Sequence, residues 1–166
     1  MSKTYYIFRH GETYFSKNKI HYGESVYSAE ILPEFVPTVK KLAEFLKGQI
    51  EDANFASPYL RTRQTVEIVR EQTGKEFTFD DRLGEEMITT GKESYDDLIE
   101  RLSGFMNDME KSDDKVIALC SHGWPIAALV NLITKGEMKY VWLDNMILTG
   151  QLAIIRDKQM EVKSFR

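Results

Sequence analysis

Two apolar runs in this chain stop on similar signals. Tyr5-Tyr6-Ile7-Phe8 breaks off into Arg9-His10-Gly11-Glu12-Thr13, and Val116-Ile117-Ala118-Leu119 breaks off into Cys120-Ser121-His122-Gly123. Short continuous runs of this kind read as strands buried inside a sheet. Gly11 relaxes the backbone where the first run ends and lets the chain turn. In open α/β sheets, ligands bind outside the carboxyl ends of the strands. Two such ends bring Arg9, His10 and His122 to one edge. A guanidinium beside an imidazole suits holding a phosphoryl group and attacking it.

The segments between these runs fit the same architecture. Val39, Leu42, Ala43, Phe45 and Leu46 make one apolar helical face that stops at Gly48, with Pro33 or Pro37 as the opening residue. Asn54–Ala56 reads as a short strand. Ser57-Pro58 reads as an N-cap followed by a first-turn proline, opening a helix that ends before Gly74. Glu76–Phe79 reads as another short strand. Ser94 caps a helix through Met109, and an apolar helix covers 124–133. The segments 148–156 and 160–165 alternate with period two, as a hairpin or edge strands around Asp157-Lys158. Tyr14 to Glu30 has no sustained period and reads as a binding loop with room for one short helical turn. Strands alternating with helices give an α/β three-layer sandwich, a mostly parallel central sheet with helices on both faces. Without linkers or repeats, residues 1–166 are expected to form one domain.

Composition removes several classes of function. A net charge of −4 argues against broad nucleic-acid binding. No stretch has the length and apolarity to span a bilayer, and the N-terminus lacks an apolar signal core. The single cysteine, Cys120, excludes an internal disulfide, so a reducing, cytoplasmic setting is expected. Cys120 also fails as a cysteine-phosphatase nucleophile, since Ile126 stands where that phosphate loop needs arginine. The three histidines, His10, His21 and His122, fit no familiar metal spacing. No metal or other cofactor is expected, and His21 is read as a loop residue near the pocket rim.

Two further pieces complete a constellation. Ser57 to Thr65 places Arg61 about one turn into a helix. Arg61 and Arg63, two residues apart, cannot share a helix face. Arg63 is therefore expected to pair with a carboxylate on its own helix. Arg82-Leu83-Gly84-Glu85-Glu86 supplies acids in a loop. With Arg9 to Thr13 and Ser121 to Gly123, these four blocks resemble the motifs of the histidine phosphatase superfamily, the phosphoglycerate mutase-like proteins, in family order. Tyr59 and Thr62 depart from the family's Leu and Ala, and Asn145 corresponds to its late Asn.

The resemblance implies roles. His10 is the nucleophile, and Arg9, Arg61 and His122 surround the phosphoryl oxygens as positive charge. Glu85 is the proton donor, with Glu86 and Glu12 as rival acids. Thr13, Ser16, Tyr22, Gly23 and Gly123 are the expected substrate contacts. Ser16 stands where many members have Asn, and Tyr22 where Thr or Gln is common, so specificity does not carry over. Hydrolysis is expected over mutase chemistry, because family mutases are longer and use extra segments to exclude water. The expected partner is a small phosphorylated metabolite or a phosphoprotein. Nothing in the sequence sets an oligomeric state.

Overall fold

The computed structural model describes residues 2–138 and 146–166. Asn145 lies outside them. One six-stranded sheet runs through the molecule. Its strands are β1 (Thr4–Arg9), β2 (Ala53–Ala56), β3 (Thr78–Phe79), β4 (Val116–Ser121), β5 (Gln151–Arg156) and β6 (Gln159–Ser164), in the order β3-β2-β4-β1-β5-β6. The first four are mutually parallel, and β5 and β6 are antiparallel additions. Asp157 and Lys158 both have positive φ, as the tight turn between β5 and β6 requires.

The alternation of β1 side chains separates two cores. Tyr5 and Ile7 face one side, packing with Leu98, Leu102 and Phe105 of α4 (Tyr95–Lys111) and with Ile126 and Leu129 of α5 (Gly123–Lys135). Tyr6 and Phe8 face the other, against Leu42 and Leu46 of α2 (Val36–Lys47) and Val66 and Val69 of α3 (Leu60–Thr73). The expected three-layer architecture is therefore present. Cys120 sits fully buried in the second core, where burial pushes its thiol pKa up. It is a packing residue. Among the described residues, no helix is long and apolar enough to cross a membrane.

Three local expectations need correction. Ser57 does not cap α3. The cap position is Tyr59, without a side-chain bond, and the helix begins at Leu60, so Arg61 lies within the first turn. The 14–30 segment has the short helical turn expected of it, as α1 (Tyr14–Asn18), and adds a 3₁₀ turn (Gly23–Val26) that was not expected. Thr13 and Ser16 form a reciprocal capping box for α1. The strand expected over 76–79 shrinks to Thr78–Phe79. In contrast, Ser94 and Asp97 form a second capping box that starts α4 where the sequence places it.

Candidate active site

Strands β1 and β4 are neighbours in register, with Arg9 opposite Ser121. The backbone N–H of His10 donates to Ser121 O at 3.1 Å, and that of Ser57 to Cys120 O at 3.0 Å. Three sequence blocks are thus tied at one sheet edge. The rings of His10 and His122 lie 5.2 Å apart between centroids, and both residues are fully buried. His122 is the N-cap of α5, so the N-terminal N–H groups and dipole of that helix add positive potential beside the two rings.

Each imidazole is oriented by its other nitrogen. Nδ1 of His10 lies 2.7 Å from the Gly11 carbonyl. A carbonyl only accepts, so the neutral ring carries its proton on Nδ1 and leaves the Nε2 lone pair free. Thr65 Oγ1 holds the Gly11 N–H at 2.8 Å and itself donates to Arg61 O. A Cβ on Gly11 would sit 3.2 Å from both Ile31 and Val39. For His122, Nε2 meets Ser57 Oγ at 2.8 Å. The tautomer that serves an anion carries its proton on Nδ1, with Ser57 donating to Nε2. This bond is where the Ser57 hydroxyl goes instead of capping α3.

Arg61 is fully buried. Its Nη1 donates to Val26 O, and its guanidinium carbon lies 4.0 Å from the Tyr22 ring centroid. Tyr22 is in turn fixed by a 2.9 Å bond to Thr13 Oγ1. Arg61 Nη2 faces Glu85 Oε2 at 3.5 Å, and the same oxygen is 3.7 Å from His122 Nδ1. Arg63 turns away as expected, but among the described residues it meets no carboxylate. It donates to Pro58 O and lies over Phe79. The Arg9 guanidinium lies so close to Gly123 that a Cβ there would approach within 3.2 Å of it.

The rival acids are otherwise engaged. Glu86 accepts from the N–H groups of Ile88 and Thr89 and from the Thr89 hydroxyl, and Glu12 faces Arg166. Among the described residues, only Glu85 presents a carboxylate to His122 and Arg61.

Seven buried side-chain nitrogens and oxygens among the described residues have no hydrogen-bond partner. Five belong to this cluster, namely Arg9 Nε, His10 Nε2, Arg61 Nε and Nη2, and His122 Nδ1. Buried polar groups are normally paired, so this concentration marks a place built for a ligand. Four of the five nitrogens are donors in the tautomers above. The fifth, His10 Nε2, is a lone pair. A tetrahedral oxyanion fits that set.

Burial, and then the charges of Arg61 and Arg9, hold the His10 pKa well below its ordinary value. Burial, then Arg61, His10 and Arg9, do the same to His122. That depression favours a neutral His122 ring, which corrects the expectation that it is a standing cation. It serves as a hydrogen-bond donor. Burial pushes the Glu85 carboxyl up, against the pull of Arg61, so burial favours its protonated form.

These shifts carry a stability signature. A histidine with a depressed folded pKa takes up its proton more readily when unfolded. Stability is therefore intact above the unfolded value of about 6.5 and falls as pH drops below it, by ~1.4 kcal/mol per pH unit for each histidine. Glu85, shifted upward, works in the opposite sense between the ordinary carboxylate pKa and its folded pKa. Urea melts in phosphate-free buffer at several pH values should show a steep loss on the acid side of 6.5. In His10→Gln that slope should be shallower by about one proton. Equal slopes in the two proteins would contradict a buried neutral His10.

From the cluster a cavity of about 650 Å³ opens outward, lined by Arg9, Phe15, Ser16, Lys19, Ile20, His21, Tyr22, Gly23, Val26, Glu85, Glu86, Thr89, Thr90, Gly123, Trp124, Met146 and Leu148. Ser16, Tyr22, Gly23 and Gly123 thus lie on the cavity wall, and His21 lines it too. Thr13 is buried behind the wall, with its hydroxyl on the α1 cap and on Tyr22. Sequence reasoning missed Phe15, Trp124, Met146 and Leu148, whose side chains carry no motif.

The fold has known counterparts. The profile of the Histidine phosphatase superfamily (branch 1) matches residues 5–88 and 85–162. The chain belongs to that superfamily. No curated protein sequence matches it. Among solved structures, it is similar to a putative alpha-ribazole-5'-P phosphatase from Escherichia coli str. K-12 substr. MG1655, with a TM-score of 0.80 and 14% identity over 99% of this chain and 96% of that one. A phosphoglycerate mutase from Bacillus anthracis str. Sterne aligns with a TM-score of 0.70 and 16% identity, over 98% of this chain and 92% of the mutase. The protein histidine phosphatase SixA, complexed with tungstate, aligns with a TM-score of 0.69 and 17% identity, over 96% and 94%. Because that mutase is covered over nearly its whole length, chain length does not separate mutase from hydrolase.

Proposed function

We propose that this protein is a metal-independent phosphomonoester hydrolase that passes the phosphoryl group through Nε2 of His10. The observation carrying this reading is the cluster of unpartnered nitrogens to which that atom belongs, with Glu85 the one carboxylate among the described residues that meets its Arg61 and His122 members. In the first step the Nε2 lone pair attacks phosphorus and the P–O bond to the alcohol breaks. Glu85 gives its proton to the departing oxygen. In the second step the Glu85 carboxylate takes a proton from water, the water oxygen attacks phosphorus and the P–N bond breaks. Both side chains return to their starting states. Arg9, Arg61, His122 and the α5 N-terminus stabilise the charge on the non-bridging oxygens throughout. The fixed guanidinium groups supply the charge that a metal would, so a chelator should leave the rate unchanged.

The cavity favours a small substrate over a phosphoprotein. Beyond Arg9, Lys19 is its one fixed cation among the described residues, and Phe15, Ile20, Tyr22, Trp124, Met146 and Leu148 dominate its wall. Such a wall suits an apolar or aromatic alcohol better than the carboxylate of a phosphoglycerate, and it favours hydrolysis over mutase chemistry for the same reason. Purified protein should release inorganic phosphate from aryl and bulky alkyl phosphates. Isomerisation of a phosphoglycerate without phosphate release would defeat the proposal.

Glu85→Gln separates the proton donor from the nucleophile. An aliphatic alcohol needs protonation to leave, so its ester should lose about 10² to 10⁴ in kcat. An ester of an acidic phenol should lose far less in forming the phosphoenzyme. Equal losses on the two esters would count against Glu85 as the acid.

A further inference from the structure

Arg101, on α4, touches none of the cavity, yet all five of its N–H donors are engaged, and all on the loop that carries Glu85. Nη1 donates to Arg82 O at 2.7 Å and Gly84 O at 3.0 Å. Nη2 donates to Glu85 O at 2.9 Å and Glu93 Oε2 at 3.2 Å. Nε donates to Glu93 Oε1 at 2.5 Å. The pair is largely enclosed, with side-chain exposures of 20% for Arg101 and 10% for Glu93. Glu93 also accepts the Met87 N–H at 3.0 Å. One guanidinium–carboxylate pair therefore grips the backbone on both sides of the acid.

The rest of the loop braces itself. Glu86 caps its turn, and the N–H groups of Lys92 and Glu93 return to Met87 O. Those bonds shape the loop but do not attach it. Polar attachment to the body of the protein comes from Arg101, from Arg82 Nη1, which donates to Asp108 Oδ2 of α4 at 2.7 Å, and from Ser121 Oγ, which donates to Leu83 O at 2.6 Å. The last two end at least two residues before the acid. Arg101 alone of the three bonds the Glu85 backbone itself.

We propose that Arg101, with Glu93, is a positioning pair that sets the Glu85 carboxyl at the leaving oxygen. It acts through the loop and not on the substrate. The proposal rests on the assignment of Glu85 as proton donor. A guanidinium suits this task because its planar fork spans two carbonyls and a carboxylate at once. The ammonium of a lysine lacks that fixed fork.

The test measures kcat/KM for an aliphatic phosphate monoester and for the phosphate ester of an acidic phenol, together with the Kd for inorganic phosphate. Wild type, Arg101→Met, Arg101→Lys, Glu93→Gln and Glu85→Gln are compared. In Arg101→Met the aliphatic ester should lose about 10²-fold, the cost expected for misplacing a catalytic group by roughly 1 Å. The aryl ester should stay within a few-fold and the phosphate Kd within about twofold, because Arg101 bonds no side chain of the nest and reaches it only as the smallest of the charges acting on His122. Arg101→Lys should recover part of the loss, and Glu93→Gln should show the same split in weaker form. Glu93→Gln is nearly isosteric and keeps the test alive if Arg101→Met does not fold. A merely structural role would lower both esters by one common factor. That result, or no loss on either ester, overturns the proposal. Should Glu85→Gln itself spare the aliphatic ester, the proton-donor assignment fails and takes the positioning pair with it. Should Glu85→Gln show the split while the Arg101 and Glu93 variants do not, the positioning pair alone fails.

Discussion

Replacing His10 with alanine should stop turnover and leave the fold standing. The ring is fully buried, but its structural part is small. The backbone N–H of His10 still bonds Ser121 O, and the β1–β4 ladder does not involve the side chain. The one side-chain bond lost is that to Gly11 O, whose carbonyl is left unpaired at a cost of about 1 to 3 kcal/mol. Removing an imidazole held below its ordinary pKa also removes an acid-side liability, which partly offsets that cost. The chemical loss is of another order. Without the Nε2 lone pair no group in the nest forms a bond to phosphorus, and loss of a nucleophile costs on the order of 10⁴ to 10⁶ in kcat. Rapid quenching of the wild type with an aryl phosphate, followed by intact mass measurement, should show the addition of one phosphoryl group. The variant should show none, while its circular dichroism matches wild type. A phosphorylated His10→Ala protein, or one that retains its rate, removes the mechanism.

What the sequence revealed and what it hid have physical reasons. The buried strands at Tyr5–Phe8 and Val116–Leu119 were readable because continuous apolar runs have few alternatives, and their common ending put His10 and His122 at one edge. Arg61 and Arg63 were separable by helical geometry, although the fate of Arg63 was not. Its partners are the Pro58 carbonyl and the Phe79 ring, neither of which advertises itself as a cation's partner. Ser57-Pro58 misled because a serine before a proline has the composition of a cap, whereas here its hydroxyl orients His122 from 65 residues away. Local propensity cannot see a contact at that separation. The choice among Glu12, Glu85 and Glu86 was closed to sequence for the same reason. It depends on burial and on which backbone N–H groups each carboxylate already serves. Arg101 and Glu93 left no signal at all, since an arginine in a polar helix face reads as solvated.

The charge state of the nest follows from the same contacts. Burial, reinforced by two guanidinium groups held near the imidazoles, keeps both rings neutral, which a nucleophile requires, and the guanidinium groups hold donors ready for an oxyanion. Burying donors in this way is poor for stability, and it spares the site reorganisation at the moment of reaction. Ligand binding repays part of the deficit by mass action, so inorganic phosphate or vanadate should raise the melting temperature of the wild type.

Arg61 shows how much of this rests on charge and how much on shape. After burial, it is the largest cause of the depressed pKa of both His10 and His122, and it is the first to oppose burial in Glu85. Arg61→Met should therefore raise the titration of both imidazoles toward the ordinary value, visible by NMR of the ring protons, and push Glu85 still higher. Its kcat should fall by about 10² to 10³, the loss expected for one preorganised donor. Arg61→Lys keeps the charge, so the two histidines should stay depressed. Yet an ammonium cannot donate to Val26 O, lie flat on Tyr22 and point two further N–H groups at the phosphoryl oxygens together. Most of the rate loss should therefore persist in Arg61→Lys while the imidazole titration returns close to wild type. If lysine restored the rate, the nest would need only a positive charge, and the fork geometry fixed by Tyr22 and Val26 would have no part in catalysis.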